Sequence, residues 1–233
     1  MQGKIFKTDN PWIEHNPHWV KTATGASLSL FRNVHRKDVR PYLFIGGVHG
    51  DEPEGVRLAE EFLLWLKTHS SAEDHPWILV PCLNVDGFQK NERTNSRGVD
   101  LNRNFPSSDW VLSEEKNRYY PGPEAASEPE VKALVKLITE TNPLVIIHFH
   151  SWKPCVVYTG EPGKPYADYL TQGNNYDSHP DIGYPTPGSL GQYGWLEHKI
   201  PVVCIEEQEH SPLEKVWPHF KTGLIGLVQG NLP

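Results

Sequence analysis

Four short apolar runs, separated by longer amphipathic or polar stretches, constrain this chain more than any other feature. They are Pro41 to Ile45, Trp77 to Leu83, Leu144 to His150 and Pro201 to Ile205. Runs of this length, bounded by glycine, proline and asparagine, read as strands buried on both faces. After the first comes Val56 to Lys67, whose Val56, Ala59, Phe62, Leu63 and Leu66 share one helical face. Ser127 then looks like an N-cap, with Pro129 in the first turn and Glu130 completing a capping box. Val131, Leu134, Val135 and Ile138 supply that helix with a buried stripe. Ser189 to His198 reads as a short helix, and Pro212 to Val228 as a final one. Strands alternating with helices predict an α/β fold with a parallel or mixed sheet.

The chain has 233 residues, enough for one domain with a substantial core. No repeat or linker divides it, so a single domain over 1–233 is expected. Residues 1–25 read as an irregular lead-in, and Ser27 to Phe31 alternates like an edge strand. The formal charge of −7 and the lack of a lysine–arginine block argue against nucleic acid or anionic membrane as a partner. Cys82, Cys155 and Cys204 lie inside apolar runs and are expected to be buried free thiols. The start shows no apolar stretch of signal-peptide length, and no segment reaches the length of a membrane span. A cytoplasmic protein is therefore expected.

Chemistry collects where the apolar runs end. The first leads into Gly46-Gly-Val-His49-Gly-Asp-Glu52-Pro-Glu54, so His49 and Glu52 stand between a strand and a helix. The third ends in His148 and His150, the fourth in Glu206 and Glu207. In an open α/β sheet the carboxyl ends of strands are the usual place for ligands. Two histidines, a glutamate and a water form a catalytic rather than a structural zinc site. A further carboxylate nearby would serve as general base. His148 and His150 point to the same side of a strand, so spacing does not choose between them. The stretch from Phe88 to about Glu124 shows little periodicity but carries Arg93, Arg97, Asp100, Asn102 and Arg103. A loop that long inside a compact domain is usually functional.

Six blocks give these residues a resemblance. His49-Gly-Asp-Glu52, Asn84-Val-Asp-Gly87, Gly98 to Pro106, Tyr120-Pro-Gly to Glu130, His150-Ser-Trp152 and Pro201 to Glu206 run in the order of the zinc carboxypeptidases. They span about residue 41 to residue 207, and the resemblance implies a single-domain mixed sheet flanked by helices on both faces. The resemblance implies one zinc ion held by His49, Glu52 and His150, with His148 packed behind and Glu52 preferred to Glu54. It implies that Asp100 orients His49, that Asn102 and Arg103 hold the substrate's free carboxylate, and that Arg93, ahead of Arg97, stabilises the oxyanion. Glu206 resembles the general base, although Cys204-Ile-Glu206 replaces the usual Thr-x-Glu. Tyr184 resembles the tyrosine that covers bound substrate.

Within that family, length and the Thr186-Pro-Gly-Ser-Leu190 block are similar to the bacterial murein peptide amidases. The implied substrate is a murein-derived peptide cut at its γ-D-glutamyl–diaminopimelate bond during cell-wall recycling. Leu190 is expected to face the side chain beside the bound carboxylate, and no acid stands there to demand a basic residue. A general metallocarboxypeptidase, an N-acyl amino acid deacylase resembling aspartoacylase, and a non-catalytic zinc-dependent binding module are the alternatives.

Overall fold

The computed structural model describes residues 6–33, 35–36 and 38–231. Three strands come first: β1 Phe6–Lys7, β2 Glu14–Lys21 and β3 Ser27–Asn33. Then follow β4 Tyr42–Ile45, helix α1 Pro53–His69, β5 Trp77–Val80 and the short helix α2 Val85–Lys90. Helix α3 is Pro129–Thr141, with β6 Val145–Trp152, β7 Cys155–Thr159, α4 Lys164–Leu170 and β8 Asp177–His179 after it. A single helical turn, α5 Leu190–Gln192, runs into a π-turn at Tyr193–Glu197. Strand β9 Val202–Gln208 and helix α6 Leu213–Val228 close the chain.

The strands form one nine-stranded sheet in the order β1-β2-β3-β5-β4-β6-β9-β7-β8. Its centre, β5-β4-β6-β9, is parallel, and antiparallel pairs β3–β5 and β9–β7 flank it. Alternate residues of the central strands enter two separate cores, as a pleat of period two requires. Phe44, Trp77, Leu79, Ile147, Phe149, Val203 and Ile205 pack with α1, α4 and α6. Leu43, Ile45, Ile78, Val80, Ile146 and Val202 pack with α3 and α5 on the other face. Gly55 lets α1 approach β6 closely, because a Cβ there would stand 2.4 Å from the carbonyl oxygen of Phe149. That approach carries the start of α1, and Glu52 just before it, to the end of β6.

The α/β class and the helices on both faces hold as expected. Three local expectations need correction. The lead-in over 1–25 contains β1 and β2, and β3 is an interior strand covered by β2 rather than an edge. The signal of β2 is weak because all its residues are half-buried or exposed, and the alternation of β3 marks a strand without saying which neighbours it pairs with. Asn84 to Gly87 makes the start of α2, and the Asn84 side chain caps it, accepting from Gly87 N at 2.9 Å. Ser127 does not cap α3. Its hydroxyl donates to Glu128 Oε1 at 2.7 Å and accepts from Asn104 Nδ2 at 3.0 Å, so the helix begins beyond it.

Candidate active site and metal centre

Strand β5 is added on one side of β4 and β6 on the other, and this switch in strand order leaves a crevice at the carboxyl ends of β4 and β6, with β9 beside it. Parallel register sets Ile45 beside His148, His148 beside Cys204, and His150 beside Glu206. The loop after β4 brings His49 and Glu52 over this edge. A cleft of about 230 Å³ opens there, lined in part by His49, Glu52, Arg93, Asn102, Arg103, His150, Tyr184 and Glu206.

His49 Nδ1 lies 2.6 Å from Glu52 Oε1, His150 Nδ1 lies 2.7 Å from Glu52 Oε2, and the two Nδ1 atoms are 3.0 Å apart. All three residues are buried. The opposite ring nitrogens are occupied. His49 Nε2 is 3.2 Å from Asp100 Oδ1, and His150 Nε2 is 2.8 Å from His148 Nδ1. A ring that donates a proton from Nε2 presents a bare lone pair at Nδ1. Two lone pairs and a carboxylate then face one point, a donor set that suits a divalent cation and in particular zinc. Burial would raise the Glu52 carboxyl, but the His49 and His150 imidazoles outweigh it and hold the group well below the usual carboxylate range. Burial, reinforced by His150, keeps His148 neutral.

Asp100 is fully buried and serves three partners at once. Oδ1 faces His49 and accepts from Asn102 N at 2.9 Å, and the other oxygen accepts from Arg93 Nε at 3.0 Å and Nη2 at 2.9 Å. Burial alone would raise its carboxyl, yet His49 and Arg93 keep it ionised. Arg93 Nη1 reaches to 3.2 Å from His49 Nδ1, whereas Arg97 points away, 54% exposed and paired with Glu128 at 3.8 Å. Asn102 accepts from Leu190 N at 2.9 Å through Oδ1, which turns its amide donors away from that contact. The guanidinium of Arg103 donates to the Asn102 carbonyl at 2.7 Å. Glu206 is buried against Cys204, whose thiol donates to Oε1 at 3.3 Å. Burial and the charge of Glu52 push its carboxyl up to about 8. A cation among the three donors would offset the Glu52 contribution, since opposite charge favours the ionised form.

Tyr184 stands at the mouth, 45% exposed, with its ring edge-on to Trp152 at 5.9 Å. Glu54 lies away from the three donors, accepting from Ser151 Oγ at 2.7 Å and His210 N at 2.8 Å. Glu207 faces the other side of β9, bound to Tyr176 and His219. Leu190 differs from the expectation. Its side chain is fully buried in the core under α3, and the neighbouring Gly191 lines the cleft instead. The helical turn that starts at Leu190 rotates consecutive residues by about 100°, so one of the pair faces in and the next out. Tyr119, Arg118 and Thr159 also line the cleft. Arg118 and Tyr119 sit in an aperiodic stretch and Thr159 ends β7, so none of the three carries a sequence signal of facing a cavity.

A nine-stranded mixed sheet that carries two imidazoles and a carboxylate at its carboxyl edge, with a buried glutamate beside them, defines a metal-dependent hydrolase. The zinc carboxypeptidase pattern matches residues 13–196, and the chain belongs to that family. It is thus a hydrolytic metallopeptidase of a zinc-dependent family. It is 33% identical to murein peptide amidase A of Escherichia coli K12, over 76% of this chain and 74% of that protein. The Vibrio campbellii murein peptide amidase A is 28% identical over 80% of this chain and 76% of its own length. The crystal structure of murein-tripeptide amidase from Escherichia coli O157 superposes with a TM-score of 0.76 and 26% identity. It covers 91% of this chain and 90% of that one. Thrombin-activatable fibrinolysis inhibitor shares the fold, with a TM-score of 0.78 at 17% identity over 98% of this chain and 69% of its own.

Proposed function

We propose that this chain is a single catalytic domain that cleaves the γ-D-glutamyl–diaminopimelate bond of murein-derived peptides. In this reading His49, Glu52 and His150 hold one zinc ion. The carrying observation is the convergence of these three donors beside the buried Glu206, in a chain that resembles murein peptide amidases over most of its length. Zinc, when bound, supplies a Lewis acid that polarises the scissile carbonyl and acidifies water.

The residues of the chain do the rest. Glu206 takes a proton from the attacking water as its oxygen adds to the carbonyl carbon. Arg93 donates to the oxygen that gains charge, held in place by its paired contacts to Asp100. When the carbon–nitrogen bond breaks, Glu206 passes the proton to the leaving amine. The Arg103 fork and the Asn102 amide bind the carboxylate of the departing residue, a geometry suited to bidentate pairing. Tyr184 closes over the substrate from the Trp152 side. A cytoplasmic place in cell-wall recycling accords with such a substrate, and cell fractionation tests it.

The deciding experiment incubates zinc-loaded protein with L-Ala-γ-D-Glu-diaminopimelate and, separately, with ordinary C-terminal dipeptides and tripeptides. Products are followed by mass. Release of diaminopimelate with little attack on ordinary peptides is expected. Release of ordinary C-terminal residues at equal efficiency would replace the reading with a general carboxypeptidase. Silence on both, with turnover of N-acyl amino acids, would replace it with a deacylase.

A further inference from the structure

Among the described residues the cleft wall carries three guanidiniums, from Arg93, Arg103 and Arg118. All three gather round one phenol. Their Cζ atoms lie 5.2, 5.7 and 5.6 Å from the ring centroid of Tyr119. Arg93 is committed to Asp100 and to the edge of the metal-ligand cluster, and Arg103 is buried with Nη1 on a backbone carbonyl. Arg118 is differently placed. Its side chain is 59% exposed, and its Nη2 makes one long contact with Asp51 Oδ2 at 3.3 Å. An exposed pair of that kind is worth little by itself. It does hold the guanidinium at the cleft edge, with other donors left for a carboxylate. Three like charges round one ring repel one another, an arrangement that an anionic ligand relieves.

A γ-glutamyl amide differs from an ordinary peptide at the residue before the scissile bond, because its α-carboxylate is free. Four bonds separate that carboxyl carbon from the scissile carbonyl carbon, and the carboxylate oxygens reach about 6 Å when the chain is extended. Arg93 stands beside the metal-ligand cluster, where the scissile carbonyl belongs. Arg118 shares the Tyr119 ring with it and faces outward. We infer that Arg118 binds the free α-carboxylate of the γ-linked glutamyl residue and so selects γ-glutamyl amides over ordinary peptide ends. This rests on the γ-glutamyl substrate proposed above.

The test compares two tripeptides with the same leaving group, L-Ala-γ-D-Glu-diaminopimelate and its analogue with an α-carboxamide on the glutamyl residue. The zinc-loaded wild type should prefer the free carboxylate by at least tenfold in kcat/KM. In Arg118→Ala that ratio should collapse to about one, and Arg118→Lys should be intermediate, keeping charge but losing the fork. Zinc content and melting temperature, unchanged from wild type, exclude misfolding as the cause. Equal turnover of both substrates by the wild type would overturn the inference while leaving γ-glutamyl cleavage standing. So would a loss in Arg118→Ala that is the same on both. No turnover of either substrate by the wild type would overturn the underlying reading, and the inference with it.

Discussion

Nδ1 of His148 stands 2.8 Å from Nε2 of His150, and the two rings meet nearly at right angles. A neutral His148 accepts a hydrogen bond from the Nε2–H of His150 there and leaves the His150 Nδ1 lone pair directed at Glu52 and His49. The ring behind the site thus decides which nitrogen of the ring in front can bind metal.

Replacing His148 by leucine should weaken zinc binding by about 10–100-fold, the usual cost of losing a partner that orients a ligand. Competition with a chromophoric chelator measures this directly. Unchanged zinc affinity would mean that His148 merely packs. In the wild type, chelation of the metal should abolish turnover and lower the melting temperature, and added zinc should restore both.

Glu206→Gln keeps the size of the side chain and removes the proton acceptor. It should lower kcat by at least about 10²-fold while zinc content and substrate affinity change little. Stopped assays with binding measured separately distinguish these. A variant that retained most of its kcat would place the base elsewhere.

Gly188 has φ +71°, and a Cβ there would come within 2.3 Å of the carbonyl oxygen of Arg103. Its own carbonyl accepts from Phe105 N at 2.9 Å, so this turn braces the segment that carries Asn102 and Arg103. Gly188→Ala should destabilise the protein by about 1–3 kcal/mol, as strained positions do. It should also raise KM more than it lowers kcat, because the displaced group is the one proposed to bind the substrate carboxylate. Equal KM in the variant would separate Arg103 from substrate binding.

Glu130 is fully buried, and among the described residues neither carboxylate oxygen has a hydrogen-bond partner. Burial, with Glu128 and Asp86 nearby, pushes its carboxyl up to about 7. A carboxyl raised on folding favours the folded state fully below its unfolded value near 4.5 and loses that contribution as pH rises through about 7. Glu130→Gln mimics the neutral form. It should raise the melting temperature by a few degrees at pH 8 and much less at pH 5. An equal shift at both would show that Glu130 does not titrate in this range.

Much of the site was readable because strand ends and short motifs are local. His49, Glu52, His150, Arg93, Asp100, Asn102, Arg103 and Glu206 come from separate segments, and the structure brings them around one cleft. Tyr184 joins them at its mouth. What was not readable depends on contacts between distant segments. Strand β2 has no strong alternation, because β1 and β3 cover it only partly, and β7 lies inside a stretch dominated by glycine, proline and tyrosine.

The sequence by itself determined the apolar runs, the helices between them, and the chemistry waiting at the strand ends. These follow from side-chain type and period, which act over a few residues. Tertiary structure alone decided the rest. Register across β6 and β9 set His150 beside Glu206 and His148 beside Cys204. Helical rotation at Leu190 exchanged it for Gly191 on the cleft wall. Folding of the aperiodic loop set Arg93, Arg103 and Arg118 round Tyr119. Pairing and packing act between residues far apart in the chain, so local periodicity carries no record of which partners they will meet.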